Sequence, residues 1–151
     1  PVGAVVAVGV VVVVGPTGWG DAMPDIGSLD IRLLGRVSAV ERDALYAGCS
    51  VSCYPSIWEG FGLPVLEAMA AGVPVVTSRG ISTEEVAGGA AVLVDPSSID
   101  DIARGIDEAR ARRDELIAAG HRRVAECTWE RTAELTVAAY HEAIECSGAL
   151  G

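Results

Sequence analysis

The chain has 151 residues, half of them apolar, and a formal net charge of -10 at pH 7. This length and composition suit one globular domain with a buried core and exclude a disordered chain. All 11 basic residues are arginine, and such an acidic balance argues against a nucleic-acid partner, because most of the surface would repel a phosphate backbone.

The N-terminal run PVGAVVAVGVVVVVG is almost wholly apolar. It is shorter than the ~20 residues of a membrane-spanning helix, and it lacks the basic residues that open a signal peptide. Val-rich runs are typical of buried central strands, so we predict one strand over residues 5–14. A chain that begins this close to a central strand is expected to be truncated.

After a loop at residues 15–20, strands and helices alternate. Strands are predicted at residues 30–35, 50–55, 74–77 and 90–94. Helices are predicted at residues 38–47 and 63–71, from Ser82 to the glycines 88 and 89, from Ser98, over residues 112–127, and from Thr128 to about Glu145. Ser38 and Ser82 each precede a glutamate by three positions, which predicts two capping boxes. This order predicts an α/β domain with a doubly wound, Rossmann-like parallel sheet over residues 1–146, followed by a frayed tail over residues 147–151.

The segment EGFGLPVLE, residues 59–67, lies where a predicted strand passes into a helix. Gly60 and Gly62 have no Cβ, so a ligand can approach the backbone closely. The amides of this turn lie at the free N-terminus of the helix, where unpaired N–H groups and the dipole favour an anion such as a diphosphate. Glu59 and Glu67 flank the turn, and ionised carboxylates accept hydrogen bonds from sugar and ribose hydroxyls.

Two other interpretations of this segment stay open. Glycine is common in strand-to-helix turns, and an acid in the first turn of a helix is favourable through the dipole alone, so the residues can be purely structural. Glu59 and Glu67 can also be read as the acid and nucleophile of a glycosidase, although that chemistry usually places its two carboxyls on opposite sides of a bond.

Residues 55–76, PSIWEGFGLPVLEAMAAGVPVV, resemble the donor-site signature of the retaining group 1 (family four) glycosyltransferases, with its E-x7-E spacing intact. Further segments are similar to this family: VVGPTGWG at 13–20, LGRVS at 34–38, LY at 45–46, EEVAG at 84–88, VLVDP at 92–96 and TWERT at 128–132. The family has the GT-B architecture, and the resemblance implies that this chain is its C-terminal, donor-binding half, lacking the first strand of that domain.

The resemblance also implies roles for individual residues. Glu59 would contact hydroxyls of the donor sugar and is the candidate catalytic residue. Glu67 would hold the ribose hydroxyls of a nucleotide, the turn would hold the sugar and diphosphate, and the backbone at residues 36–37 would meet the base edge. The donor-binding positions are then Glu67, Gly60, Phe61, Gly62, Leu63, Arg36 and Val37.

The implied activity is transfer of a hexose from a UDP- or GDP-linked donor to an acceptor, with retention and without a metal or other cofactor. A catalytically inactive nucleotide-sugar-binding or interaction module is the alternative. The family's acceptor domain and its basic diphosphate contacts have no counterpart in these residues, and Arg36 and Arg79 are weak substitutes for the latter, so we expect this polypeptide alone to be inactive. A sheet without its first strand would expose an edge and allow self-association. A cytoplasmic location is expected, with peripheral association of the full-length enzyme at the inner membrane as a variant.

The cysteine, tryptophan and histidine residues are predicted to have structural rather than catalytic or metal-binding roles. The four cysteines fit no zinc spacing and are expected to be buried free thiols. Trp129 is predicted to anchor the core, and Trp19 and Trp58 to pack beside the site loops. His121 and His141 are predicted to be surface or capping groups.

Overall fold

The computed structural model describes residues 3–7, 10–15 and 30–148. Six strands form one sheet in the order β3-β2-β1-β4-β5-β6. The strands are β1 (Gly3–Ala7), β2 (Val10–Val14), β3 (Ile31–Gly35), β4 (Val51–Tyr54), β5 (Val75–Ser78) and β6 (Val92–Val94). The helices are α1 (Ala39–Gly48), α2 (Leu63–Ala70), α3 (Ser82–Ala87), α4 (Ile99–Ala111), α5 (Arg113–Glu126) and α6 (Trp129–Gly148).

The predicted α/β class is confirmed, and three of the strand pairings are parallel: β2 with β3, β4 with β5, and β5 with β6. β1 is antiparallel to both of its neighbours, β2 and β4. Within the described residues, the free edges of the sheet are therefore β3 and β6, and β1 fills the position between β2 and β4.

The prediction of a single strand over residues 5–14 is wrong. The apolar run forms the hairpin of β1 and β2, in which Ala7 pairs with Val10. A ten-residue strand would be about 33 Å long, whereas β4 has four residues and β6 has three. Folding the run back on itself pairs backbone groups that a single long strand would leave without partners. The loop that follows, with Trp19, lies outside the described residues.

Helices cover both faces of the β4–β6 half of the sheet, which gives the doubly wound arrangement. On one face, Val76 and Val94 pack with Ala109 of α4 and Leu116 of α5. On the other face, Val75 belongs to a cluster with side chains of α1, α2 and α3, which are Tyr46, Val65, Ala68, Met69, Val86 and Ala87. The core therefore lies around the strand that leads into the 59–67 turn.

Local signals in the sequence predict most of the observed helix ends correctly. Ser38 forms the predicted capping box with Glu41, since its Oγ accepts the Glu41 amide at 3.3 Å and the Glu41 carboxylate accepts the Ser38 amide at 2.7 Å. Ser98 caps α4, and Thr128 accepts the amide of Arg131 at the start of α6. The capping box predicted at Ser82 is wrong: α3 has Ile81 at its N-cap, and the Ser82 hydroxyl bonds elsewhere.

α6 projects its apolar side chains into solvent. Trp129 is 85% exposed, so its predicted role as a core anchor is wrong. Tyr140 and Ile144 are also mostly exposed. The helix continues to Gly148, into the predicted tail over residues 147–151, because nothing in its sequence before that point interrupts the backbone hydrogen bonds. In the parts of the chain that the structure describes, no helix has the length and apolar character needed to cross a membrane.

The four cysteines divide into two pairs. Cys49 and Cys53 are buried free thiols, as predicted. Cys127 and Cys146 are exposed free thiols, so the prediction of burial is wrong for these two, which lie after α5 and on the exposed α6.

Candidate functional site

The candidate site is the loop between β4 and α2 together with the first turn of α2. All four residues of β4 are buried, which fixes where the loop begins. α2 begins after Gly62, whose φ of +101° is a left-handed conformation that residues with a Cβ rarely adopt. A Cβ at Gly62 would lie 2.7 Å from Cγ2 of the buried Thr83, so α3 leaves no space there for a side chain.

Hydroxyl groups from β5 and α3 hold the backbone of the loop. Thr77 donates to the Tyr54 carbonyl at 3.0 Å, and Ser78 donates to the Ser56 carbonyl at 2.5 Å. Ser82 donates to the carbonyl of Glu59 at 2.8 Å, which explains why it does not cap α3. These three contacts, which we call the hydroxyl braces, keep the loop in one shape from outside it.

Glu59 lies half-buried in the loop, and one of its carboxylate oxygens is already bonded. Oε1 accepts hydrogen bonds from the phenol of Tyr54 and, at 3.2 Å, from the hydroxyl of Ser56. Burial first, and then the bond to Glu59, raise the pKa of Tyr54 above its usual value, so its phenol remains a donor. The contacts on Oε1 orient the carboxylate, whose second oxygen, Oε2, is a further hydrogen-bond acceptor.

Glu67 lies one turn into α2 and is held in a similar way. Its Oε1 accepts a hydrogen bond from Nη1 of Arg42 at 2.7 Å, and its side chain is 34% exposed. The same guanidinium donates to Oδ1 of Asp43 from Nε at 3.1 Å and from Nη2 at 2.9 Å. Each glutamate of the motif thus has one oxygen bonded to a protein donor.

α1 connects residues 36–37 to this site. Arg36 is exposed and Val37 half-buried, and both lie between Gly35 at the end of β3 and the Ser38 cap of α1. From α1, Tyr46 reaches the start of α2, where its hydroxyl donates to the Pro64 carbonyl at 3.4 Å. α1 therefore contacts both predicted nucleotide-binding parts. It directly follows the segment predicted to meet the base, and its Arg42 is bonded to the carboxylate predicted to meet the ribose.

A family model described as "Glycosyl transferases group 1" matches residues 28–121, which include the whole site. The chain belongs to this family. The match begins before β3 and ends within α5, so it covers the loop, both glutamates and residues 36–37.

Two relatives align over most of this chain. O-antigen chain mannosyltransferase B of Escherichia coli is 40% identical over 113 residues, which are 73% of this chain and 30% of that protein. MMP alpha-(1->4)-mannosyltransferase of Mycolicibacterium hassiacum is 41% identical over 116 residues, 72% of this chain and 28% of that protein. The chain thus spans about a third of the length of these relatives.

Among solved structures, sucrose-phosphate synthase from Thermosynechococcus elongatus has a similar fold. Its TM-score is 0.62 at 27% identity, over 78% of this chain and 31% of that one. The GT-B glycosyltransferase fold expected from the sequence is thereby confirmed for this group 1 domain.

The predicted site residues differ in how the structure places them. Gly62 is buried against α3, whereas Gly60, Phe61 and Leu63 are exposed at the turn. Trp58 is 85% exposed, so its predicted packing beside the loop is wrong. Arg79, predicted as a weak diphosphate contact, donates instead to the Leu93 carbonyl at 2.8 Å.

Three groups that orient the two glutamates were not predicted from the sequence: Arg42, Tyr54 and Ser56. Arg42 lies 25 positions before Glu67, and no local pattern connects the two. Tyr54 carried a weak signal, because it ends a buried strand only five positions before Glu59. A polar hydroxyl at the end of a buried strand generally needs a partner nearby.

Proposed function

We propose that this chain is the donor-binding half of a retaining glycosyltransferase and that it binds a UDP- or GDP-linked hexose. The observation that carries the proposal is the pair of carboxylates, Glu59 and Glu67, on either side of a glycine turn at the start of a helix. In each carboxylate one oxygen accepts a hydrogen bond from the protein. Each carboxylate has one oxygen held by the protein and a second oxygen for a sugar or ribose hydroxyl.

The diphosphate would lie against the first turn of α2. The N-cap of this helix is Gly62, which has no side chain to accept the amides at the start of the helix. Amides and the helix dipole would hold the anion there. The resemblance to the family supports binding without a metal ion.

The donor sugar would lie between the turn and Glu59. The carboxylate of Glu59 would accept sugar hydroxyls through Oε2, while Tyr54 and Ser56 keep its orientation. Both relatives described above are named mannosyltransferases, which favours mannose as the hexose. Retention of the anomeric configuration rests on the family resemblance, and transfer would also require a surface for the acceptor.

A catalytically inactive nucleotide-sugar-binding module is the second candidate. It is favoured by the shortage of cations at the site: Arg79 is bonded to a backbone carbonyl, and Arg42 is shared between two carboxylates. Binding would then occur without transfer to any acceptor sugar or lipid.

Calorimetric titration of the chain with UDP and GDP tests the proposal. One of the two should bind, equally well with and without EDTA, and Glu67→Ala should weaken it about tenfold or more, since a hydrogen bond to a charged group is worth about 1.5–3 kcal/mol. Asp101→Ala is the matched control, because Asp101 is held by an arginine at the same 2.7 Å but lies on α4.

Absence of heat with both nucleotides, with the circular dichroism spectrum intact, would refute the site. Equal loss of affinity in Glu67→Ala and Asp101→Ala would refute the role of Glu67. Release of free sugar from an aryl glycoside, abolished by Glu59→Gln, would instead support the glycosidase interpretation.

A further inference from the structure

We propose that Arg42 is a positioning residue that sets the preference of this site for a ribonucleotide by orienting the carboxylate of Glu67. This inference rests on the proposed function, since it concerns how the ribose is recognised. It assigns a role in donor recognition to α1, which lies outside the E-x7-E motif.

The geometry holds the guanidinium on two sides. Nε and Nη2 of Arg42 bond to Asp43 at 3.1 and 2.9 Å, and Nη1 bonds to Glu67 at 2.7 Å. A guanidinium is planar, so fixing one edge of it on Asp43 fixes the direction of the remaining N–H groups. The bond from Nη1 to Oε1 of Glu67 then restricts the orientation of the carboxylate, whose second oxygen is the acceptor proposed for a ribose hydroxyl.

This ion pair differs from the others between described residues. Each of the remaining pairs joins residues no more than four positions apart, and in most of them both residues belong to the same helix. Arg42 and Glu67 are 25 positions apart and connect α1 to α2. A local pair on an exposed helix connects neighbours along the chain, whereas this pair bridges two elements that both carry predicted donor contacts.

The positive charge of Arg42 would also favour binding of the proposed diphosphate. Glu67 lies in the same first turns of α2 that are proposed to hold a diphosphate, and an unpaired carboxylate there would repel that anion. Arg42 offsets this repulsion in a chain whose net charge is -10. The carboxylate can therefore accept a ribose hydroxyl close to a diphosphate.

α1 also links the ribose contact to the base contact. It begins at its Ser38 cap directly after residues 36–37, and Arg42 and Tyr46 reach α2 from successive turns of the helix. The distance from the base-contacting backbone to the ribose acceptor is thus set by a rigid helix. This arrangement would hold the Glu67 acceptor at a constant distance from the base contact, where it can bond the hydroxyl that a deoxyribose lacks.

The test compares the ribonucleoside diphosphate that binds, UDP or GDP, with its 2′-deoxy form by calorimetry. The wild-type chain should prefer the ribo form about tenfold, the effect of one hydrogen bond to a charged acceptor. Arg42→Gln should reduce this preference at least threefold, and Arg42→Lys should restore part of it. Arg104→Gln is the control, because Arg104 makes a pair of the same 2.7 Å length on α4, and it should leave the preference unchanged.

A merely structural role for Arg42 would lower the affinity for both nucleotides equally and leave their ratio intact, and that result would overturn the proposal. If Arg42→Gln does not fold, Asp43→Asn replaces it, because that change loosens the guanidinium without removing it; an unchanged ratio again overturns the inference. Failure of the wild-type chain to bind either diphosphate refutes the proposed function itself, and this inference with it.

Discussion

The turn at Gly62 provides a quantitative test of the site geometry. Substituting alanine there places a side chain at φ +101°, in left-handed backbone that residues with a Cβ rarely adopt. The new Cβ would also meet Cγ2 of Thr83 at 2.7 Å, and Thr83 is fully buried, so it cannot turn away into solvent.

Both effects can be estimated. The left-handed conformation costs a residue with a Cβ about 1–2 kcal/mol, and overpacking a buried site costs about 1–3 kcal/mol. We therefore expect Gly62→Ala to lower the free energy of unfolding by about 3 kcal/mol, which is about 6–12 °C in melting temperature for a domain of this size. Gly60→Ala is the control, since Gly60 is exposed and nothing lies within 4 Å of its Cβ position; it should stay within about 0.5 kcal/mol of the wild type.

Urea unfolding of four proteins separates the two causes: wild type, Gly62→Ala, Thr83→Ser and the double variant. Thr83→Ser removes the clashing methyl group but keeps the hydroxyl that donates to Ser78 at 3.2 Å. Gly62→Ala should therefore cost about 1–3 kcal/mol less in the Thr83→Ser background. Equal costs in both backgrounds, or equal costs for Gly62→Ala and Gly60→Ala, would refute the reasoning.

Two further predictions concern buried titratable groups. Burial raises the pKa of Tyr46 from 10.0 to about 12, so above pH 10 the unfolded chain loses this proton while the folded chain keeps it. The free energy of unfolding should fall between about pH 10 and 12, and this fall should be smaller in Tyr46→Phe. The same pH dependence in both proteins would contradict the raised pKa of Tyr46. Burial likewise raises the pKa values of Cys49 and Cys53 to about 11, so Ellman's reagent at pH 8 should label only the exposed Cys127 and Cys146 quickly, and the other two only on unfolding. Four equally fast thiols in the folded chain would contradict this burial.

Local patterns in the sequence predicted the parts of the fold that depend on neighbours along the chain. The Ser38 capping box and the left-handed Gly88 at the end of α3 are examples, because each helix end is determined within a few residues. The turn with Gly62 at the start of α2 was also predicted, since its glycines and proline all lie in one short segment.

Contacts between distant residues could not be predicted in this way. The Ser82 hydroxyl had two possible partners, the Glu85 amide as a donor in a capping box and the Glu59 carbonyl as an acceptor. Its bond to the Glu59 carbonyl depends on how α3 lies against the loop. The pairing of Arg42 with Glu67 likewise depends on how α1 packs on α2. The apolar run at residues 5–14 divided into a hairpin because of the short strands beside it, which its own composition does not reveal.

The hydroxyl braces also have a consequence for how this site could vary among homologues or be transferred to another protein. The shape of residues 54–59 is determined by Thr77, Ser78 and Ser82, which follow in a different part of the chain. Ile57 and Trp58, 75% and 85% exposed, can therefore be exchanged without altering the backbone that carries Glu59. Conversely, grafting the glutamate motif alone would give a loop with the correct amino-acid sequence but no defined conformation. Residues 77–83 would have to be transferred with it.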